Sequence, residues 1–242
     1  MVAQQLRIPC QERDLTLLLR EIGIYSLVSP GIAGNRSLLE TGIRWLVRLT
    51  RSTCPFTWAM GVYYNHKPGL VGRLVRRFLP GVLGSAFAFA LTKPRLRMLM
   101  LYDAAARLNS LVVGTLDRTE WTMGFYEPHG DGASDVQLLI HLYKTQIRQL
   151  ARHLGVPAEI VDKPSSGDLA AGLPNEALLG LRYEQLDCAL YGLDQGIPSR
   201  EIRSRAGLSA RALRDIRQAI ELAHLRRALP ARLSSDDRIE DR

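Results

Sequence analysis

The stretch from Lys93 to Leu169 constrains the fold of this chain most. Its first part, Lys93 to Leu108, is strongly periodic, with Leu96, Leu99, Met100, Tyr102 and Ala106 on apolar faces, which predicts a helix. The unbroken run Ser110-Leu-Val-Val-Gly-Thr115 follows and predicts a buried strand, of the kind found in a parallel sheet covered by helices. Beyond it come Glu120, the loop His129-Gly-Asp-Gly-Ala-Ser-Asp135, and an amphipathic helix from Ile140 to Leu154 with Lys144 near its start. Gly155 and Pro157 close that helix. Cations, carboxylates and glycines therefore collect at element ends, where an α/β protein keeps its chemistry.

Length fits this reading, because 242 residues make one sizeable α/β domain or two small ones. The net charge of +8 permits anionic partners, and an arginine-rich surface accounts for the charge equally well. Lysine occurs only at Lys67, Lys93, Lys144 and Lys163. Cys10, Cys54 and Cys188 are far apart and odd in number, which argues against a disulfide framework or a zinc site and for a reducing compartment. The apolar run Phe78 to Thr92 is interrupted by Pro80, Gly81 and Gly84 and is too short for a spanning helix. The expected setting is cytoplasmic, with no membrane.

Upstream, Leu6-Arg-Ile-Pro9 reads as a short strand, Gln11 to Glu21 as an amphipathic helix and Ile24 to Ser29 as a second strand. Together they predict part of a parallel βαβ unit within residues 1–50. Ser29 to Ser37 is a Gly-containing turn with a helix cap; it lacks the Gly-Lys-Ser/Thr ending of a phosphate loop. Residues 51–92 read as a helical and loop insertion, with Trp58, Tyr63, Tyr64, His66 and Lys67 in a loop and a candidate subunit interface over 69–92. Arg95 and Arg97 fall in the first turn of the predicted Lys93 helix, where they oppose the helix dipole and call for an anionic partner. Pro164 to Asn175 is a Ser/Gly/Pro-rich lid or linker, and residues 170–230 are helical. Within them, Ile197 to Ala223 makes two helices split by Gly207-Leu-Ser209, an α-hairpin in preference to a DNA-binding helix-turn-helix. Residues 231–242 form a polar tail.

From about residue 4 to 230 these pieces occur in an order that resembles the ammonia-dependent NAD⁺ synthetase family of N-type ATP pyrophosphatases. Lys93-Pro-Arg-Leu-Arg-Met98 is similar to the family's K-A-R-x-R-M, and Gly114-Thr-Leu-Asp-Arg-Thr-Glu120 to G-T-x-[ND]-x-[SA]-E. Gly124-Phe-Tyr and Gly130-Asp-Gly-Ala-Ser-Asp135 resemble G-[YF]-F-T-K-Y-G-D-G-x-x-D. Leu142-Tyr-Lys-Thr-Gln, Leu154-Gly-Val-Pro, Pro164-Ser-Ser166, Tyr183 to Gly192 and His224 continue the run. The resemblance implies a single Rossmann-like, adenine nucleotide alpha hydrolase-like domain over 1–230 with a parallel sheet and a helical C-terminal part. It also implies adenylation of deamido-NAD⁺ by ATP and Mg²⁺, then amidation by ammonia. Arg95, Asp135 and His224 would contact deamido-NAD⁺; Gln11, Thr115, Lys144 and Ser165 would contact ATP; Glu120 would hold Mg²⁺. A homodimer is implied, with no nucleic acid, and ammonia is left either free or supplied by a separate glutaminase. No nucleophilic side chain is called for, since the work is charge neutralisation and positioning.

The departures are as specific as the matches. The family's S-G-G-x-D-S pyrophosphate loop and first strand lie upstream of Leu6, and Ser29 to Ser37 falls on the wrong side of that strand to replace them. Pro128 stands where the family has a substrate-binding Lys, Leu225 where it has another, and residues 168–179 lack its acidic T-D-E segment. The family's first strand is central in its sheet, so a chain without it is expected to expose unpaired strand edges. Two expectations follow: a synthetase that does not turn over as this 242-residue chain, or a catalytically silent relative that binds nucleotide or a partner subunit.

Overall fold

The structure is a computed structural model that describes residues 4, 6–27, 35–167 and 172–227. Two short helices open it, α1 (Thr16–Glu21) and α2 (Ile24–Leu27), followed by α3 (Arg36–Thr50), α4 (Pro55–Tyr63), α5 (Gly69–Phe78) and α6 (Pro80–Leu108). The strand β1 (Val113–Gly114), α7 (Arg118–Met123) and the strand β2 (Val136–Gln137) make a small βαβ unit. Its strands pair in parallel with Val113 opposite Val136 and Gly114 opposite Gln137, and among the described residues β1 has no other strand partner. Then come α8 (Lys144–His153), α9 (Ala158–Val161), α10 (Asn175–Leu179), α11 (Tyr183–Asp194), α12 (Ser199–Ala206) and α13 (Ala210–Arg227).

The α/β class and its parallel pairing stand, with more helix than the sequence pattern suggests. The expected N-terminal strands do not form: Leu6 to Pro9 is irregular, and Ile24–Leu27 is helical and packs on α6. A strand draws its hydrogen bonds from a neighbour, whereas a helical turn makes its own. Trp58 and Tyr63, expected in a loop, lie in α4, whose Pro55 occupies the first helical turn without needing its missing N–H. The helix expected from Lys93 begins at Pro80 and runs 29 residues through Pro94. Arg95 and Arg97 are thus mid-helix, and the dipole argument for an anionic partner does not apply to them. Residues 29–34 of the Gly-containing turn, 168–171 of the lid and 228–242, including the tail, lie outside the described residues. No single helix among the described residues is long and apolar enough to cross a membrane; α5 and α6 meet the length and composition requirement only as a pair bent by 98°.

The main core is C-terminal. Tyr183, Leu186, Leu190, Ile202, Leu213 and Ile216 pack together from α11, α12 and α13. Gly207, in the left-handed conformation at φ 62°, ends α12, and Ser209 Oγ accepts from Ala212 N at 3.1 Å to start α13, so the hairpin read from the sequence is present. Gly124 does for α7 what Gly207 does for α12. It closes the helix at φ 67°, and a Cβ there would sit 2.9 Å from the Ala223 methyl of α13. That close approach fixes α7, and hence the end of the βαβ unit, against the C-terminal core.

Candidate active site

The site is built around α7, between the two strands. Asp117 caps α7: its Oδ1 accepts from Glu120 N at 2.7 Å, and Glu120 Oε2 accepts from Asp117 N at 3.2 Å. This reciprocal pair is a capping box, which the spacing Asp117-x-x-Glu120 encodes. The same carboxylates face Lys144, at the N-terminus of α8. Lys144 Nζ lies 2.7 Å from Asp117 Oδ2 and 3.6 Å from Glu120 Oε1, and over the Tyr183 ring at 5.4 Å. Asp117 is fully buried and the Lys144 side chain is 16% exposed.

A second layer holds this group in place. Asp187 of α11 accepts from Thr119 Oγ1 at 2.5 Å and from Thr145 N at 2.8 Å, while Thr119 Oγ1 also accepts from Lys144 N at 3.1 Å. The first amides of α8 thus find partners on α7 and α11, and Lys144 is aimed at Asp117 by backbone that cannot easily move. Burial, then the nearby Asp117 charge, pushes the Glu120 carboxyl up to about 7. Burial alone would lower Lys144, but Glu120 and Asp117 outweigh it and raise the ammonium above its ordinary value. Asp187 is raised by burial, and Tyr183 by burial and then by Glu120.

Glu120 opens onto a cavity of about 690 Å³. Its floor is apolar, with Phe56, Trp58, Phe87, Met98 and Phe125, and its polar wall carries Glu120, Glu127, Asp131, Arg97, Ser166 and Gly167. A volume of that size suits a small-molecule ligand. Among the described residues no group of three or more His, Cys, Asp or Glu side chains is placed to hold a metal. Glu120, one of three carboxylates on that wall, does fit Mg²⁺, which is commonly held by one or two carboxylates, water and the phosphates of its substrate.

The residues expected to act together are only partly brought together. Lys144 and Glu120 are in one ion-paired group, and Ser165 adjoins the cavity through Ser166 and Gly167, with its carbonyl accepting from Asn175 N at 2.7 Å. Arg95 does have the expected anionic partner, for a different reason: its Nε and Nη2 each lie 2.8 Å from Glu127 Oε1. Asp135 is engaged in the fold, accepting from Val112 N at 2.8 Å and Tyr102 Oη at 3.1 Å, which pins β1 to α6. Thr115 is exposed just after β1; Gln11 and His224 are exposed, and none of the three lines the cavity. Asp117 and Glu127 were not singled out from the sequence. The capping spacing signals Asp117, while nothing local marks Glu127, whose partners are 32 and 99 residues away.

A parallel βαβ unit presenting a buried lysine–carboxylate cluster to a ligand-sized cavity defines an α/β protein with a small-molecule site. The comparisons are more specific. The family model described as NAD synthase matches residues 82–230. The NH(3)-dependent NAD(+) synthetase of Chlorobaculum parvum is 35% identical over 216 residues, 88% of this chain and 73% of that protein. The corresponding enzyme of Methanopyrus kandleri is 50% identical over 111 residues, 45% of this chain and 39% of that protein. That of Thermotoga maritima is 34% identical over 194 residues, 79% of this chain and 63% of that protein. Among solved structures, the NMN synthetase of Francisella tularensis matches with a TM-score of 0.50 and 33% identity, over 61% of this chain and 56% of that one. The chain belongs to the NAD synthase family, ligases of NAD biosynthesis, and shares their Rossmann-like α/β layer fold. It spans between 39% and 73% of the length of these three curated relatives.

Proposed function

We propose that this chain carries the substrate and metal side of an ATP- and Mg²⁺-dependent ligase that converts deamido-NAD⁺ to NAD⁺ with ammonia. In that reaction a nicotinate carboxylate oxygen bonds to the α-phosphorus of ATP and pyrophosphate leaves. Ammonia then bonds to the acyl carbon, AMP leaves with the bonding electrons, and the surplus protons pass to solvent. The observation that carries the reading is the Lys144–Asp117–Glu120 group beside the cavity. A raised-pKa ammonium stays charged against phosphate, and its rigid mounting suits a reaction that crowds anions together. Mg²⁺ at Glu120 would supply further neutralisation of phosphate charge. Ser165 and Thr115 offer hydroxyls to ATP, and Arg95 and Asp135 contacts to the dinucleotide. Gln11 and His224 keep the roles the resemblance gives them. A homodimer formed through 69–92 fits the exposed Leu70, Leu74, Phe78 and Val82.

The test is NAD⁺ formation from deamido-NAD⁺, ATP, Mg²⁺ and ammonium, run alongside ATP binding by calorimetry. The expected result is that this chain forms no NAD⁺ by itself; NAD⁺ formation that Lys144→Ala lowers by roughly 10²–10³, the usual effect of removing one preorganised charge donor, would overturn that and make the chain a working synthetase. A second reading, a silent relative that binds nucleotide or a partner subunit, is favoured by Arg95 being already paired with Glu127. The Francisella tularensis neighbour adds an arm with nicotinate mononucleotide: product from it alone would make this chain an NMN-forming ligase.

A further inference from the structure

We propose that the outward face of α3 and α5 docks on an anionic lipid surface; the proposal goes beyond the ligase reading and does not rest on it. The positive charge of the chain is concentrated in this region. Residues 41–102 contain ten Lys or Arg and no Asp or Glu, against a net charge of +8 for the whole chain, which leaves −2 for the rest. Helix α5 shows how that charge is presented. Its inner side is fixed: a Cβ on Gly72 would lie 2.7 Å from Val62 Cγ2 of α4, and Arg76 Nη1 donates to the carbonyls of Val62 at 2.6 Å and Tyr63 at 2.8 Å. Its outward side carries Leu70, Leu74 and Phe78 one turn apart, with Arg73 and Arg77 beside them, all exposed.

Helix α3 packs beside α5 and repeats the pattern. Trp45 and Leu49 are exposed together with Arg44 and Arg48. The Arg48 guanidinium lies 6.0 Å from the Trp45 ring, as that of Arg77 lies 5.9 Å from the Phe78 ring. Apolar side chains rimmed by arginines, with no acid among them, are the composition of helices that lie in a membrane interface. The rings and leucines enter the acyl boundary while the guanidinium groups stay level with the lipid phosphates. No single helix among the described residues is long and apolar enough to cross, so the contact is with the surface, a departure from the expected absence of a membrane. A second copy of the chain fits the same leucines and is the competing occupant. Charge separates the two, because a two-fold contact sets this acid-free stretch against its own copy, whereas lipid phosphates supply the opposite sign.

The experiment is co-sedimentation of the chain with vesicles of phosphatidylcholine alone and of equal parts phosphatidylcholine and phosphatidylglycerol, at two salt concentrations, with sedimentation velocity and thermal melting of the same samples. The expected result is binding to the anionic vesicles only, weakened by salt. Arg73→Gln with Arg77→Gln should weaken that binding about thirtyfold. Leu74→Ser with Phe78→Ser should weaken it about tenfold. All four side chains are exposed, so the melting temperature should stay unchanged in both variants. Failure to bind either vesicle overturns the proposal. So does binding that follows the arginines and ignores Leu74 and Phe78, which is plain polyanion attraction. A dimer that Leu74→Ser with Phe78→Ser converts to monomer, with vesicles ignored throughout, gives the face to a second copy and overturns the lipid assignment. NAD⁺ chemistry enters none of these readouts, so the proposed function stands or falls separately.

Discussion

Helices α3 and α13 are both long and amphipathic, and they are used differently. α3 has 15 residues with none buried, and leaves Trp45 and Leu49 about two-thirds exposed. α13 has 18 residues, seven of them buried, including Ile216 and Ala223 at 0% exposure. Both have good local reasons to be helical: Asn35 Oδ1 accepts from Leu38 N at the start of α3, and Ser209 caps α13. The comparison separates helix formation, which caps and periodicity encode locally, from helix burial, which needs a partner surface. The part of the molecule matched by the family model contains most of the main core and the Lys144–carboxylate cluster, while Phe56 and Trp58 of the cavity come from α4, outside it.

The comparison breaks most readily at the charges. Asp117→Ala strands Lys144, leaving it only Glu120 at 3.6 Å, and removes the cap of α7. Breaking a buried pair in this way costs about 3–5 kcal/mol. The exposed Arg36–Glu40 pair on α3 has the same 2.7 Å separation, yet Glu40→Ala should cost at most about 0.5 kcal/mol, because water screens the pair. Urea unfolding of the two variants measures the difference; equal losses would mean that the N-terminal helices are as tightly integrated as the site.

A purely apolar version of the test follows, with a somewhat smaller effect. Ile216→Ala opens a cavity in the middle of the main core and should cost about 2–4 kcal/mol. Leu49→Ala removes a side chain that is 67% exposed and should change stability by less than about 0.5 kcal/mol. If Leu49→Ala instead destabilised in a concentration-dependent way, the exposed face of α3 would be covered by another copy in solution.

What the sequence made legible divides along the same line. The C-terminal hairpin, the body of the helix read from Ile140 to Leu154 and a parallel strand before Thr115 were readable, because caps, glycine and periodicity act over a few residues. That helix starts only at Lys144, and the strand read as buried over Ser110–Thr115 shrinks to Val113–Gly114 with Leu111 and Val113 exposed, since β2 is its single strand partner among the described residues. The strands expected at Leu6 and Ile24 failed because a strand needs a neighbour, whereas a helical turn makes its own hydrogen bonds. The start of α6 was misplaced because Pro94 reads as a helix beginning, although a 29-residue helix here continues through it. In the site, Lys144 and Glu120 were legible through the resemblance. Asp117 was legible in principle through its capping spacing. Glu127 was not, since its meaning comes from Arg95 and Arg226, which reach it from two other elements.

The pH response sharpens the view that the site's charges are held under burial. Glu120 has a folded pKa of about 7 against an ordinary 4.5, so across that window the folded chain binds its proton more tightly than the unfolded chain does. Stability from this group is therefore complete below pH 4.5 and is lost as pH rises through about 7. Lys144 moves in the raised direction from 10.5, so its contribution is constant across the same window and is lost only at higher pH. The melting temperature should therefore fall between pH 5 and pH 8. Glu120→Gln should flatten that slope, whereas Glu40→Gln on α3 should leave it unchanged. A slope that persists in Glu120→Gln would place the titrating group elsewhere, with Asp187, raised by burial in the layer behind Lys144, the next carboxyl to substitute.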